Sequence, residues 1–193
     1  MKKLVLLMVA LLFLTTAQAQ TKWNLGVKAG ANFSKMSFNV GDYTSDAITK
    51  MHVGAFMRAN WGRIFLQPEV YFSGKGGDIK EAVVSAKTSF DFSSVDVPLL
   101  VGLKPFGGEN FNLHIIGGPV LSKVTLKNIT TIKDYDKKFF EKYYFAVQYG
   151  LGVDFMAFTL DARIEDSLNK VYSQSNINGT YKVFMLSLGV KIL

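Results

Sequence analysis

The residues of the chain best suited to acid–base chemistry are three charged residues at two-residue spacing: Asp161, Arg163 and Glu165. On a β-strand this spacing places all three side chains on one face. Neighbouring carboxylates can act as a general acid and a general base. The sequence supplies no identifiable nucleophile beside them. We therefore predict no catalytic residue, and an enzyme is kept as the alternative to a non-catalytic protein.

Metal and cofactor chemistry has little support in the sequence. His52 and His114 are its only histidines, it has no cysteine, and a site built on the two histidines would need carboxylate partners at coordinating geometry. The stretch Gly74–Gly77 is basic and glycine-rich but lacks the Gly-x-x-x-x-Gly-Lys-Ser/Thr spacing of a phosphate-binding loop. We interpret it as the exit from a strand into a loop, and we predict no metal and no cofactor.

The elements that position these residues are strands, because apolar and polar residues alternate along most of the chain. From Trp23 to Ser34 one face is apolar over about eleven residues, a length that suits a tilted membrane strand of roughly 9 to 11 residues. We predict eight such strands, at 23–34, 52–60, 64–73, 95–104, 111–121, 145–155, 158–165 and 184–192. The predicted fold is all-β, an eight-stranded antiparallel up-and-down transmembrane β-barrel.

The predicted connections alternate in length. Short turns fall near 60–63, 105–110 and 155–158, and longer polar segments run over 36–51, 74–94, 123–142 and 166–180. Short turns on one rim and long loops on the other are typical of bacterial outer-membrane barrels, whose turns lie in the periplasm. We therefore expect an outer-membrane location, with long loops facing the exterior and both termini in the periplasm.

The first residues have the features of an export signal. Lys2 and Lys3 precede an apolar run from Leu4 to Leu14, and an Ala-x-Ala site ends at Ala19. We predict a cleavable signal peptide at 1–19 and one barrel domain at 20–193. The formal net charge of +7 comes from scattered lysines without a basic stripe, so we predict no nucleic-acid partner.

The polar faces of the predicted strands carry charges of both signs in similar numbers. Since an eight-stranded barrel is too narrow for bulk water, these charges are expected to form ion pairs that fill the lumen and leave no large open pore. The predicted lumen network consists of Lys28, Arg58, Glu69, Asp96, Lys104, Asp154, Asp161, Arg163, Glu165 and Lys191.

Aromatic residues fall toward the strand ends, as in the interfacial girdles of membrane barrels. The expected girdle contains Trp23, Phe33, Trp61, Phe65, Phe72, Phe106, Phe111, Phe155 and Phe158. A secreted lipocalin-like barrel, with its apolar side chains turned inward around a ligand, is the alternative fold. The two folds differ in whether Leu25, Val27, Val97, Leu99, Leu186 and Leu188 face outward or inward.

Four stretches of the chain resemble the PorT-like outer-membrane β-barrel family. They are Gly26–Ser34, Phe65–Gly77 with its Gln-Pro-Glu run, Val95–Val101 with its Val-Pro-Leu-Leu run, and the closing Leu188–Leu193. The resemblance spans most of the chain after Gln20. It implies a compact outer-membrane barrel and, by family likeness alone, a role in secretion or envelope assembly.

The predicted function is a structural or surface-interaction role in which the barrel anchors the long loops. The segment 133–142 mixes charged and aromatic residues that can engage a partner or anionic lipopolysaccharide. Expected partners are outer-membrane lipid, lipopolysaccharide, the barrel-assembly machinery and a surface or envelope protein. The functional alternatives are an envelope enzyme and a narrow-channel or secretion-accessory barrel.

Overall fold

The fold is all-β, and every regular element of the computed structural model is a strand within the residues it describes. Those residues are 22–38, 43–46, 48–81, 87–108, 110–130, 142–169, 172–174 and 177–193. The expected signal peptide at 1–19 and most of the segment 133–142 lie outside them. In the described ranges no helix has the length and apolar character needed to cross a membrane.

Ten strands occur in the described ranges, and their bounds follow chain order. They are β1 (Lys22–Phe38), β2 (Tyr43–Asp46), β3 (Ile48–Trp61), β4 (Ile64–Glu81), β5 (Lys87–Gly107), β6 (Phe111–Thr130), β7 (Tyr143–Phe155), β8 (Phe158–Ser167), β9 (Tyr172–Gln174) and β10 (Ile177–Lys191).

Eight of these strands close into a barrel of antiparallel neighbours, in the ring order β1-β3-β4-β5-β6-β7-β8-β10. β10 returns to β1 with a register that runs from Gly26 opposite Lys191 to Phe38 opposite Gly179. Closure gives each of these strands a partner on both sides, so the ring has no free edge. The short strands β2 and β9 pair with β4 and β10 outside the ring. The prediction of an eight-stranded antiparallel barrel is confirmed.

The outer wall of the barrel is apolar and its interior is polar. The six side chains that separate the two candidate folds, Leu25, Val27, Val97, Leu99, Leu186 and Leu188, are all exposed, by 42 to 56%. Across the described part of the barrel, the buried side chains are more often polar or charged than hydrophobic. The lipocalin-like alternative is therefore wrong, because its apolar side chains would have to line the interior.

The turns at one rim are short. Gly62 and Arg63 join β3 to β4, and Met156 and Ala157 join β7 to β8. Gly62 and Met156 have φ of 59° and 51°, the left-handed conformation that two-residue hairpin turns require. The described ends of the chain, Lys22 and Leu193, lie at this same rim, where the backbone of Leu193 bonds to Leu25.

The long connections contain more strand than the sequence predicts. Over 74–94, β4 and β5 continue as a hairpin whose register runs from Gly74 opposite Ser93 to Lys80 opposite Lys87. β6 likewise extends to Thr130, and β10 begins at Ile177. The predicted loop bounds were wrong here because backbone pairing continues where glycine and polar residues interrupt the side-chain alternation. The extended strands carry the barrel wall beyond the apolar belt.

Candidate functional site

The candidate site is the charged interior of the barrel, which all ten predicted residues enter. An interior of eight strands is just wide enough for side chains from opposite walls to meet. Eight of the ten are buried: Lys28, Arg58, Glu69, Asp96, Asp154, Asp161, Arg163 and Glu165. Lys104 and Lys191 are half-buried near the short-turn rim.

The first ion pair lies on the short-turn side. Arg58 on β3 donates from Nη1 to Asp154 Oδ2 on β7 at 2.6 Å. Lys191 Nζ approaches the same carboxylate at 3.9 Å. Lys104 Nζ instead donates to the side-chain oxygen of Asn60 at 2.6 Å. Asp154 therefore binds one buried guanidinium, and Lys191 lies near it on the side of the short-turn rim.

The second level is a four-residue charge cluster centred on Glu69 of β4. Arg163 on β8 binds its two carboxylate oxygens through two nitrogens, both at 2.9 Å, and Lys28 on β1 binds at 2.8 Å. Asp161 accepts from Lys28 at 2.7 Å and from Arg163 at 2.8 Å. His114 Nε2 lies 2.8 Å from the other oxygen of Asp161. Two cations and two carboxylates thus neutralise each other in the lumen.

The third level is centred on Lys75, which the sequence analysis placed at a strand exit. Its ammonium lies 2.8 Å from Asp96 on β5 and forms an ion pair with Glu165 on β8. It also donates to the hydroxyl of Tyr144 at 3.1 Å. The hydroxyl of Tyr181 donates to Glu165 at 2.5 Å. All three charged side chains are fully buried, so the strand-exit interpretation was wrong for Lys75.

A sequence signal for Lys75 exists in the alternation of β4. Gln67, Glu69, Tyr71 and Ser73 all face inward, and Lys75 is the next residue at the same spacing. The glycines on either side of Lys75 hide this continuation, because they remove the apolar outward positions that mark a strand. Extending the period-two pattern through Gly74 and Gly76 would have placed the lysine in the lumen.

Three aromatic rings cluster around this third level. The ring centroids of Tyr144 and Tyr181 are 5.3 Å apart, and Phe92 lies 6.3 Å from Tyr144 and 6.2 Å from Tyr181, all at steep interplanar angles. Edge-to-face contacts of this kind are favourable. Lys75 Nζ lies 5.5 and 5.2 Å from the two tyrosine centroids. The rings fill the lumen toward its long-connection end.

Phe65 departs from the predicted aromatic girdle. It is fully buried in the lumen, in a small apolar cluster with Leu100 and Ile116. The Arg58 guanidinium carbon lies 4.4 Å from its ring centroid. Phe65 begins the inward-facing series of β4, so its position near a strand end does not place it at the membrane interface. The expectation was wrong because sequence distance from a turn does not determine the face.

The residues considered for acid–base and metal chemistry are held in separate contacts. Asp161 belongs to the Glu69 cluster, whereas Glu165 belongs to the Lys75 cluster. His52 and His114 have different partners: the ring nitrogens of His52 are 2.7 Å from Asn32 and 2.9 Å from Ser187, whereas His114 contacts Asp161. Within the described part of the chain, no three histidine or acidic side chains are arranged to hold a metal ion.

The three levels share one geometric property. Arg58 with Asp154, Glu69 with Arg163, and Lys75 with Glu165 join strands four places apart in the eight-membered ring, which are opposite walls. Each pair therefore crosses the diameter of the lumen. Breaking such a buried pair leaves an uncompensated charge, which costs several kcal/mol, about 3 to 5. The interior is a set of cross-links between walls.

A closed antiparallel barrel with an apolar outer wall and a charged interior is the architecture of a bacterial outer-membrane β-barrel protein. The chain belongs to the outer membrane protein beta-barrel domain family, whose sequence profile matches residues 17–173. Its location is accordingly the bacterial outer membrane. The finer PorT-like assignment stays a prediction.

Three solved structures are similar to the chain over most of its length. Neisserial surface protein A is 13% identical, with 87% of this chain and 97% of that chain covered and a TM-score of 0.48. The N-terminal β-barrel domain of Pseudomonas aeruginosa OprF is 12% identical, covering 90% and 100%, with a TM-score of 0.39. The translocator domain of autotransporter NalP from Neisseria meningitidis is 11% identical, covering 98% and 95%, with a TM-score of 0.31. No curated protein sequence matches the chain.

Proposed function

We propose that the protein is a structural or surface-interaction protein of the outer membrane, with a closed barrel that anchors long connections on the exterior. In this proposal residues 1–19 are a cleaved signal peptide, 20–193 form the barrel, and both ends of the mature chain lie in the periplasm. The main observation that supports this proposal is that ion pairs cross the lumen at three levels.

The cross-linked lumen supports a barrel without a large open pore. Small barrels fill their interior with side chains, whereas larger ones leave an aqueous channel. A conducting path here would have to pass the Glu69 cluster and the rings around Lys75. We expect purified protein in planar bilayers to give no large, stable openings. Large openings would overturn the closed-lumen part of the proposal.

A non-enzymatic role is favoured by the placement of the candidate acid–base groups. His52 and His114 are 2% and 0% exposed, and Asp161 and Glu165 are fully buried. Substrate access to these groups would require breaking buried ion pairs. A narrow-channel or secretion-accessory role has only the family likeness in its support, which is weaker than site chemistry.

The interaction surface is proposed on the rim with long connections, because binding residues are commonly carried on loops held by a rigid scaffold. The hairpin over 74–94 projects from this rim, and β2 and β9 add strands to it. Proposed partners are outer-membrane lipid, lipopolysaccharide, the assembly machinery during biogenesis, and a surface or envelope protein.

The test shortens each long connection separately and compares partner cross-linking in cells. For the hairpin, residues 78–89 are replaced by a two-residue turn, which preserves the pairing of Gly77 with Phe90. The other variants shorten 39–47, 131–141 and 168–176. Heat-modifiable gel mobility confirms that each barrel folds. Loss of partner capture in at least one variant is expected; capture that survives all four but disappears after changes in the lumen or short turns would overturn the proposal.

A further inference from the structure

Two lysines converge on one exposed tyrosine ring on the outer wall. Lys123 on β6 lies directly opposite Tyr143 on β7, with its Nζ 6.0 Å from the ring centroid. Lys142 Nζ lies 5.9 Å from the same centroid. All three side chains are exposed. The backbone oxygen of Lys142 accepts a hydrogen bond from Val124 N at 3.0 Å, which holds the backbone of Lys142 next to β6.

This cluster, Lys123–Lys142–Tyr143, lies where the apolar wall ends. Two residues toward the short-turn rim, Leu121 lies opposite Phe145, and both are exposed on the outer wall. Lys123 has the same strand parity as Leu121, so it faces the bilayer side and not the lumen. Aromatic and basic side chains at the end of an apolar belt lie at the level of lipid headgroups. A ligand of this cluster would therefore approach it from the bilayer side.

Among the residues that the structure describes, the cluster has no counter-charge of its own. No carboxylate of the described residues lies within ion-pair distance of Lys123 or Lys142, whereas Lys182 on β10 has Asp166 at 3.2 Å. Both ammonium groups lie within 6.0 Å of one ring centroid, so an anionic group placed beside the ring would attract both of them.

We propose that Lys123, Lys142 and Tyr143 form a docking site for the phosphorylated headgroup of a lipid. The two ammonium groups bind the headgroup phosphate, and an acyl chain lies against Leu121 and Phe145 below. Lysine is an effective point-charge donor to phosphate. That the lipid belongs to the outer leaflet rests on the proposed orientation, with the long connections outside. The docking itself requires only the position of the cluster at the end of the apolar wall.

The test titrates the full chain, folded in non-ionic detergent, with bisphosphorylated lipid A and with the fully dephosphorylated form, and measures binding by native mass spectrometry. We expect tighter binding of the phosphorylated lipid. The double variant K123Q/K142Q should lose roughly thirtyfold in affinity, about fivefold for each lysine near an anionic group. The variant K123R/K142R keeps both charges and should retain most of the affinity.

The matched control K22Q/R63Q removes two exposed charges at the opposite rim and should bind as the parent does. An equal loss in this control would mean that only overall charge matters, and the proposal would be abandoned. Equal binding of both lipid forms, or displacement of the lipid by a similar concentration of inorganic phosphate, would overturn it as well. Since partner cross-linking in cells is measured separately, failure of lipid docking is distinguishable from failure of the proposed surface role.

Discussion

Replacing Lys75 by methionine removes the only buried cation that contacts both Asp96 and Glu165 among the described residues. Methionine keeps a long, flexible apolar side chain of similar length among the surrounding rings. The change therefore removes the charge while leaving little empty volume. Two fully buried carboxylates then face each other without the ammonium group between them.

The expected loss in the free energy of unfolding is about 3 to 5 kcal/mol, the usual cost of removing one partner from a buried ion pair. The matched control is Lys182→Met, which breaks an ion pair with Asp166 of similar length at 3.2 Å. The two side chains of that pair are 63% and 30% exposed, so solvent screens the interaction and Lys182→Met should unfold at nearly the parental urea concentration. Burial, and not the presence of an ion pair, accounts for the difference.

The assay is reversible urea unfolding in lipid vesicles, followed by tryptophan fluorescence. Trp23 and Trp61 lie on the outer wall and are 58% and 36% exposed, so both report the loss of the lipid environment. A triple variant that adds Asp96→Asn and Glu165→Gln should recover much of the lost stability, since it removes the charges that Lys75 had compensated.

If Lys75→Met destabilised the barrel by no more than Lys182→Met does, Lys75 would not compensate buried charge at this level. A triple variant less stable than Lys75→Met alone would also contradict it. That result would mean that the carboxylates are not strained by the loss of the lysine, and the lumen would then have to admit water at this level.

Two further substitutions test the outer wall and the lumen packing. Leu188→Arg, at an exposed position inside the apolar belt, should destabilise the inserted barrel by about 2 to 4 kcal/mol in vesicle unfolding; a change below about 1 kcal/mol would argue against lipid contact there. Gly102→Ala would place a Cβ 2.0 Å from the Phe65 ring and should cost about 1 to 3 kcal/mol, whereas Gly108→Ala meets no atom within 4 Å and should unfold at nearly the parental urea concentration.

The fold was predictable because a barrel wall between lipid and lumen imposes a strict period of two on the sequence. Trp23 to Phe33 and Phe184 to Ile192 each keep apolar residues at alternate positions, and those positions face outward. The short turns were also predictable, because the apolar–polar alternation stops for only a few residues between two strands joined by a tight hairpin turn. The even strand number then allowed β10 to pair antiparallel with β1, as it does.

The ends of the strands at the long-connection rim were not predictable in the same way. Beyond the apolar belt, both faces of the hairpin over 74–94 can be polar, so the side-chain pattern no longer distinguishes a paired strand from a loop. Backbone hydrogen bonds alone continue the pairing of β4 with β5. For the same reason the sequence misplaced Lys75.

Within the apolar belt, the sequence by itself indicated which charged residues face inward, because parity along a strand assigns each side chain to a face. Only the tertiary structure decided which charges meet. Glu69 and Arg163 are 94 residues apart, and their contact depends on the ring order that sets β4 opposite β8. Asp161 and Glu165 lie on the same face of β8 but belong to two clusters, because Asp161 meets Lys28 of β1 whereas Glu165 meets Lys75 of the opposite strand β4. Strand parity is a local property, whereas the pairing across a lumen follows from closure, tilt and register of the whole barrel.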